Sequence, residues 1–183
     1  PAGRRSISAS MRARAAASRE RRLPLWAAAG VRCCARWAVA RSSAAGRWSP
    51  GGDVEVLYTS IERDGALAEI GFRLSLEPVW PSRIAHEIHE LDVEAGNALR
   101  FASTEALAPF GIDPARYSSF EYEACQALAA AAHFLEFDGL IVPGARHDAA
   151  NLVLFMDRPA AANLHCVASQ SVDWNHWRAA RGR

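Results

Sequence analysis

The stretch GRWSPGGDVEVLYTSIERDGALAEIGFRL, Gly46 to Leu74, reads as a turn, a strand and a helix in immediate succession. Pro50, Gly51 and Gly52 carry the turn, and Val54 to Ser60 has the β-branched and aromatic content of a strand. From Ile61 to about Leu76, the residues Ala66, Leu67, Ile70, Phe72 and Leu74 fit a helix, and Pro78 stops it because its ring cannot continue the backbone ladder. Three side chains along this stretch differ in chemistry from their neighbours: Arg47, Tyr58 and Glu69. Taken singly, each has an ordinary reading as a stacked surface arginine, a packed strand tyrosine and a solvated helix carboxylate. Glu69, however, is crowded by Ala66, Leu67, Ala68, Ile70 and Gly71, and a carboxylate so placed needs a partner. Together a guanidinium, a phenol ring and a carboxylate suit a dinucleotide, through its pyrophosphate, its flat base and its ribose.

Working outward, Arg83 to Val93 is expected to be a strand, followed by a loop from Glu94 to Arg100 and a short helix near Thr104 to Leu107. Ser118 or Ser119 is expected to cap a helix over EYEACQALAAAAHFLEF, with Tyr122, Leu128 and Ala132 turned inward. Gly139 to Val142 and Leu152 to Met156 read as short apolar strands around the turn Pro143 to Asn151, and Asn163 to Val172 as a further strand. Helices and strands alternate without a strict βαβ repeat, which predicts an α+β class. The 183 residues suit one domain, and 50% hydrophobic residues suffice for a core.

Net charge is +1, but residues 1 to 47 hold eleven arginines against Glu20 alone, while 48 to 183 hold ten arginines against nineteen acids. All 21 basic residues are arginine, which suggests a GC-rich source genome more than a selected phosphate-binding surface. Cys33, Cys34, Cys125 and Cys166 form no CxxC pair, so neither a disulfide framework nor a zinc ribbon is indicated and a cytoplasmic setting is expected. No apolar run approaches the roughly 20 residues that span a bilayer. The segment from Pro1 to Ala45 is rich in Ala, Arg and Ser, shows no sustained period, and is expected to be irregular. A targeting peptide built on Leu23 to Val31, or a basic docking arm, are both open readings of it.

The order GRWSP, LYTS, A-x-x-E, then HFLEFDGLIVP and NLVLF, resembles the RES domain, the toxin half of RES-Xre bacterial toxin-antitoxin pairs, over about Gly46 to Val172. The resemblance implies one RES domain over 46–183, related to the ADP-ribosyltransferase fold, that consumes NAD or transfers its ADP-ribose. It maps the family's arginine, tyrosine and glutamate to Arg47, Tyr58 and Glu69 as the catalytic set. It further implies Arg47, Tyr58, Gly144 and Asn151 as NAD contacts, with NAD a substrate and no cofactor or metal. Its implied partner is a cognate Xre-type antitoxin, with homo-oligomers also open and no membrane or direct nucleic-acid contact by the catalytic domain.

The chain departs from the family in two places. Many RES domains carry a serine directly after the proline where this chain has Gly144, which leaves a backbone N–H as the potential phosphate donor. An Arg-aromatic strand that normally precedes the GGRW motif is not recognisable, and the first methionine is Met11. Residues 1–45 are therefore expected to derive from a shifted reading frame or misassigned start. A decayed RES domain that binds nucleotide or antitoxin without turnover is the alternative reading.

Other constellations carry less. HEIHE, His86 to Glu90, spaces its histidines three apart on a strand rather than four apart on a helix, so a zincin-type site is not expected. Ser118, His133 and Asp138 share a triad's residue types without a nucleophile elbow. His147 and Asp148 neighbour the proposed pocket at Arg146, with a solvated loop as the default. Trp174 and Trp177 lie on one helical face, for packing or for an antitoxin.

Overall fold

A computed structural model describes residues 46–49, 54–80 and 85–181, together with the backbone course of 23–30. In chain order the elements are β1 (Leu23–Gly30), β2 (Val56–Ser60), α1 (Arg63–Ser75), β3 (His86–Val93) and β4 (Ala98–Arg100). Two 3₁₀ segments follow, Glu105–Phe110 and Pro114–Arg116, then α2 (Glu123–Phe134), β5 (Gly139–Pro143), β6 (Ala150–Phe155), α3 (Pro159–Ala162), β7 (His165–Ser171) and α4 (Trp174–Ala179). The strands form one seven-stranded sheet in the order β4-β5-β6-β2-β1-β3-β7. Among the described residues only β4 and β5 pair in parallel, so the sheet is mixed and the α+β expectation holds.

The run LIV of β5 and LVLF of β6 is apolar on both faces because both faces are covered. Leu140, Val142, Val153 and Phe155 join Leu128, Ala129 and Ala132 of α2, Phe101 and Trp48 in one cluster. Ile141, Leu152 and Leu154 point the other way, toward Leu91, Val93 and Ala160. A third cluster seats α1 on β3 and α4 through Ala66, Leu67, Ile88 and Trp174.

Gly139 opens β5 opposite Leu154, and a Cβ there would collide with the Val153 carbonyl oxygen, a backbone atom fixed in the ladder. Gly139→Ala is expected to cost about 1–3 kcal/mol, the usual range for overpacking, measurable as a lower denaturant midpoint with an unchanged slope.

Three local expectations are revised. The loop over Glu94 to Arg100 contains β4, whose Ala98 pairs with Gly139; three residues are too few for a period to show in sequence. The long helix starts later than read, at Glu123, with no side-chain cap; Ser119 Oγ instead accepts from Glu121 N–H at 3.2 Å, closing the turn before it. Within the segment read as irregular, Leu23–Gly30 is a strand between β2 and β3, in register from Leu23 opposite Val93 to Gly30 opposite His86. Its proline and consecutive alanines are poor strand formers, which hides it in sequence. Residues 1–22 and 31–45 lie outside the described residues.

Candidate functional site

Glu69 is on α1, and its Oε1 accepts from the Ala145 N–H at 3.1 Å and from Asn151 Nδ2 at 3.3 Å. The two donors flank the turn between β5 and β6, so the carboxylate ties helix to sheet as well as finding the partners its surroundings demand. Both bonds fall on Oε1; no described residue donates to Oε2.

Tyr58 stands on β2 as a partly exposed residue, and its hydroxyl oxygen accepts from the Trp48 N–H at 2.9 Å. Gly46 permits this approach, since a Cβ there would come within 2.6 Å of that oxygen. Burial pushes the phenol up to about 12, against the opposing Trp48 hydrogen bond and the charges of Arg73 and Arg47. Tyr58 is therefore a neutral phenol at physiological pH. Because the folded value lies above the unfolded value of 10.0, its contribution to stability is complete below pH 10 and is lost as pH rises toward 12. The unfolding midpoint of the wild type is expected to fall across that window, and that of Tyr58→Phe to fall less.

The guanidinium of Arg47 is sandwiched between Tyr117 and Tyr122, with Cζ 4.8 Å from each ring centroid. Nη2 donates to the Ser119 carbonyl at 3.0 Å, while Nη1 is buried with no hydrogen-bond partner in the structure. Gln126 on α2 donates to the Gly46 carbonyl at 3.0 Å, fixing the turn that carries Arg47. Beside it the Cys125 thiol is pushed up by burial, with Arg47 pulling the other way. A cavity of about 260 Å³ opens behind the guanidinium, lined by Asp113, Arg116 and Cys125 among others.

Tyr117 connects these parts and was not legible as a site residue. It is 5% exposed, and its hydroxyl donates to the Pro143 carbonyl at 2.7 Å. Burial raises its phenol well above the usual range, the Arg47 charge opposes this, and the Glu69 charge adds to it. Arg47 and Glu69 thus act on one buried ring. The structure brings Arg47, Tyr58, Glu69 and Asn151 to the same end of the sheet, with Tyr117 and Tyr122 added. One turn beyond Glu69, Phe72 carries the Arg146 guanidinium 3.5 Å above its ring centroid.

Gly144 behaves differently from the reading made of it. Its N–H donates to the Ala149 carbonyl at 2.8 Å, which closes the β5–β6 turn and leaves that N–H committed. A Cβ at this position would sit 2.5 Å from the Ala149 oxygen and 2.6 Å from the His147 oxygen. The neighbouring N–H, that of Ala145, is the one that reaches Glu69.

The remaining constellations disperse. His86 is buried and its Nδ1 accepts from Trp174 Nε1 at 2.9 Å, whereas His89 meets Ser169 at 2.8 Å on the exposed edge. Among the described residues no group of three His, Cys, Asp or Glu is arranged around a common point. His133 pairs with Asp157 at 2.8 Å, and Asp138 accepts from the Asn97 N–H at 2.9 Å, so neither is near Ser118 in a relay. His147 Nδ1 is buried without a partner in the structure, and Asp148 is exposed. Trp174 and Trp177 pack edge to face at 5.3 Å, with Trp177 over Gly71 of α1 and Trp174 buried, which is the packing reading. Among the described residues no helix is long and apolar enough to cross a membrane.

A family model described as RES domain matches residues 14–175. Among solved structures, a chain in the crystal structure of the M. tuberculosis MbcT-MbcA toxin-antitoxin complex superposes with a TM-score of 0.78, covering 97% of each chain at 19% identity. No curated protein matches the chain.

Proposed function

This chain belongs to the RES domain family, and from that membership we propose that it is the toxin of a bacterial toxin-antitoxin pair that cleaves the bond between nicotinamide and ribose in NAD. The observation that carries the reading is the fixed carboxylate of Glu69, held through Oε1 by Ala145 and Asn151, at the same end of the sheet as the sandwiched Arg47 and the neutral Tyr58. In this reaction the glycosidic C–N bond breaks and its electron pair returns to the pyridinium nitrogen, so the leaving group departs neutral. The ribose carbon is left electron-poor, and a nearby fixed negative charge lowers that barrier without reorganising at the moment of reaction.

In this scheme Glu69 stabilises the oxocarbenium-like ribose and orients a ribose hydroxyl. Arg47 supplies positive charge for the diphosphate, and its tyrosine sandwich holds the guanidinium in one place. Tyr58 packs on nicotinamide or the adjoining ribose as an uncharged ring. Asn151 acts through Glu69, and Gly144 contributes the tight turn rather than a phosphate donor. Water, inorganic phosphate or a protein side chain completes the ribose carbon, its proton passing to solvent. An ADP-ribosyltransferase-like ancestry, a cytoplasmic setting and a homo-oligomeric state belong to the same proposal.

The partner is a cognate Xre-type antitoxin that covers the face carrying Arg47, Tyr58 and Glu69. The structural neighbour crystallised in a toxin-antitoxin complex supports this reading through its fold. A second reading is favoured by one feature, the turn at Gly144 that excludes a serine: a decayed domain that binds nucleotide or antitoxin without turnover. Purified protein incubated with NAD, with and without phosphate, separates the two. Release of nicotinamide is the expected result, and the phosphate dependence of the product identifies the acceptor. A folded protein that leaves NAD intact would leave the binding module standing.

A further inference from the structure

Phe120, in the turn just before α2, is 62% exposed, an unusual state for a phenylalanine. It is not a loose side chain. Its ring stacks on Phe72 with centroids 6.1 Å apart and planes 27° apart, and Tyr122 flanks it at 6.3 Å. Phe72 in turn holds the Arg146 guanidinium, which lies 5.8 Å from the Phe120 centroid. The platform thus has a fixed ring open to solvent, a second ring behind it, and a cation at its flank. No described carboxylate pairs with Arg146. Arg73, one residue past Phe72 on α1, is exposed and, among the described residues, has no ion-pair partner either.

We infer that Phe120, backed by Phe72, is the stacking platform for the second base of the dinucleotide, a purine, and that Arg146 meets the phosphate bridge from its side. The inference rests on the reading of Glu69, Arg47 and Tyr58 as an NAD site. Its chemistry is that of an aromatic face, which any flat base can cover, combined with positive charge for the diphosphate. Phe72 lies three residues after Glu69, and such helix neighbours have Cβ atoms about 5–6 Å apart. The backing ring of the platform thus stands one helical turn from the carboxylate proposed to meet the scissile ribose.

The test is calorimetric titration of the intact protein with ADP, which carries the base and the diphosphate but no scissile bond. Phe120→Ala is expected to weaken ADP about tenfold, the scale of losing one base-aromatic stack, and Phe120→Trp to restore it. Arg146→Ala is expected to weaken both ADP and inorganic pyrophosphate. Phe134→Ala serves as the control, since Phe134 is 83% exposed at the C-terminal end of α2, the end opposite Phe120, and its ADP affinity is expected to stay within twofold. Equal ADP affinity in Phe120→Ala and Phe134→Ala, or no ADP binding by the wild type, overturns the platform. Nicotinamide release is followed in parallel: NAD cleavage without Phe120-dependent ADP binding sinks only the platform, and Phe120-dependent binding without cleavage sinks only the catalytic reading.

Discussion

Glu69→Gln is expected to lower nicotinamide release about 10²–10³-fold, the scale on which a preorganised electrostatic contact acts in a transition state, while NAD affinity changes little. The substitution is nearly isosteric and keeps an oxygen for the Ala145 N–H and Asn151, so the junction between α1 and the β5–β6 turn survives. What it removes is the negative charge. A neutral amide still accepts a hydrogen bond but does not offset the positive charge growing on the ribose, and the ground state, already carrying a cationic nicotinamide, loses less. Turnover falls with binding retained. Initial rates of nicotinamide release, combined with calorimetric NAD titration of both proteins, make the comparison. A glutamine variant within a few fold of wild type would move the catalytic role away from this carboxylate, and matched melting curves would show that the loss is not one of folding.

Much of this site was legible because its residues are chemically out of place in their local sequence. Glu69 stands among Ala66, Leu67 and Ile70, and the structure meets its need with a backbone N–H and an amide from a distant turn. The strand before it and the helix around it follow from a β-branched run and a proline stop, both local signals. Tyr117 was not legible, because its importance lies in long-range neighbours: Arg47 in one direction and Pro143 in another, the latter 26 residues away. The same holds for Phe120, which in sequence is one more aromatic before a helix. Strand β1 was missed for a different reason. Its residues LPLWAAAG have weak strand propensity, and it is a strand through its pairing with β2 on one side and with β3 along its whole length on the other. The turn at Gly144 shows the limit of a motif-level reading: a missing hydroxyl was visible, but not that the glycine N–H is already committed to Ala149.

Gly144→Ser, which installs the hydroxyl that the family resemblance places after the proline, is expected to reduce nicotinamide release about tenfold or more rather than enhance it. A serine Cβ would stand 2.5 Å from the Ala149 oxygen and 2.6 Å from the His147 oxygen, both backbone atoms, so the turn must open to admit it. Opening breaks the Gly144 N–H to Ala149 bond at 2.8 Å and displaces the next N–H in the chain, that of Ala145, from Glu69. Loss of a hydrogen bond to a charged group is worth about 1.5–3 kcal/mol, which sets the tenfold or larger scale, and overpacking destabilises the fold by about 1–3 kcal/mol besides. Initial rates and denaturant midpoints of Gly144→Ser and the wild type test both parts together. A serine variant that is as stable as the wild type and cleaves NAD faster would mean that the turn relaxes at little cost. In that case the hydroxyl, not the placement of Ala145 against Glu69, is what limits this chain.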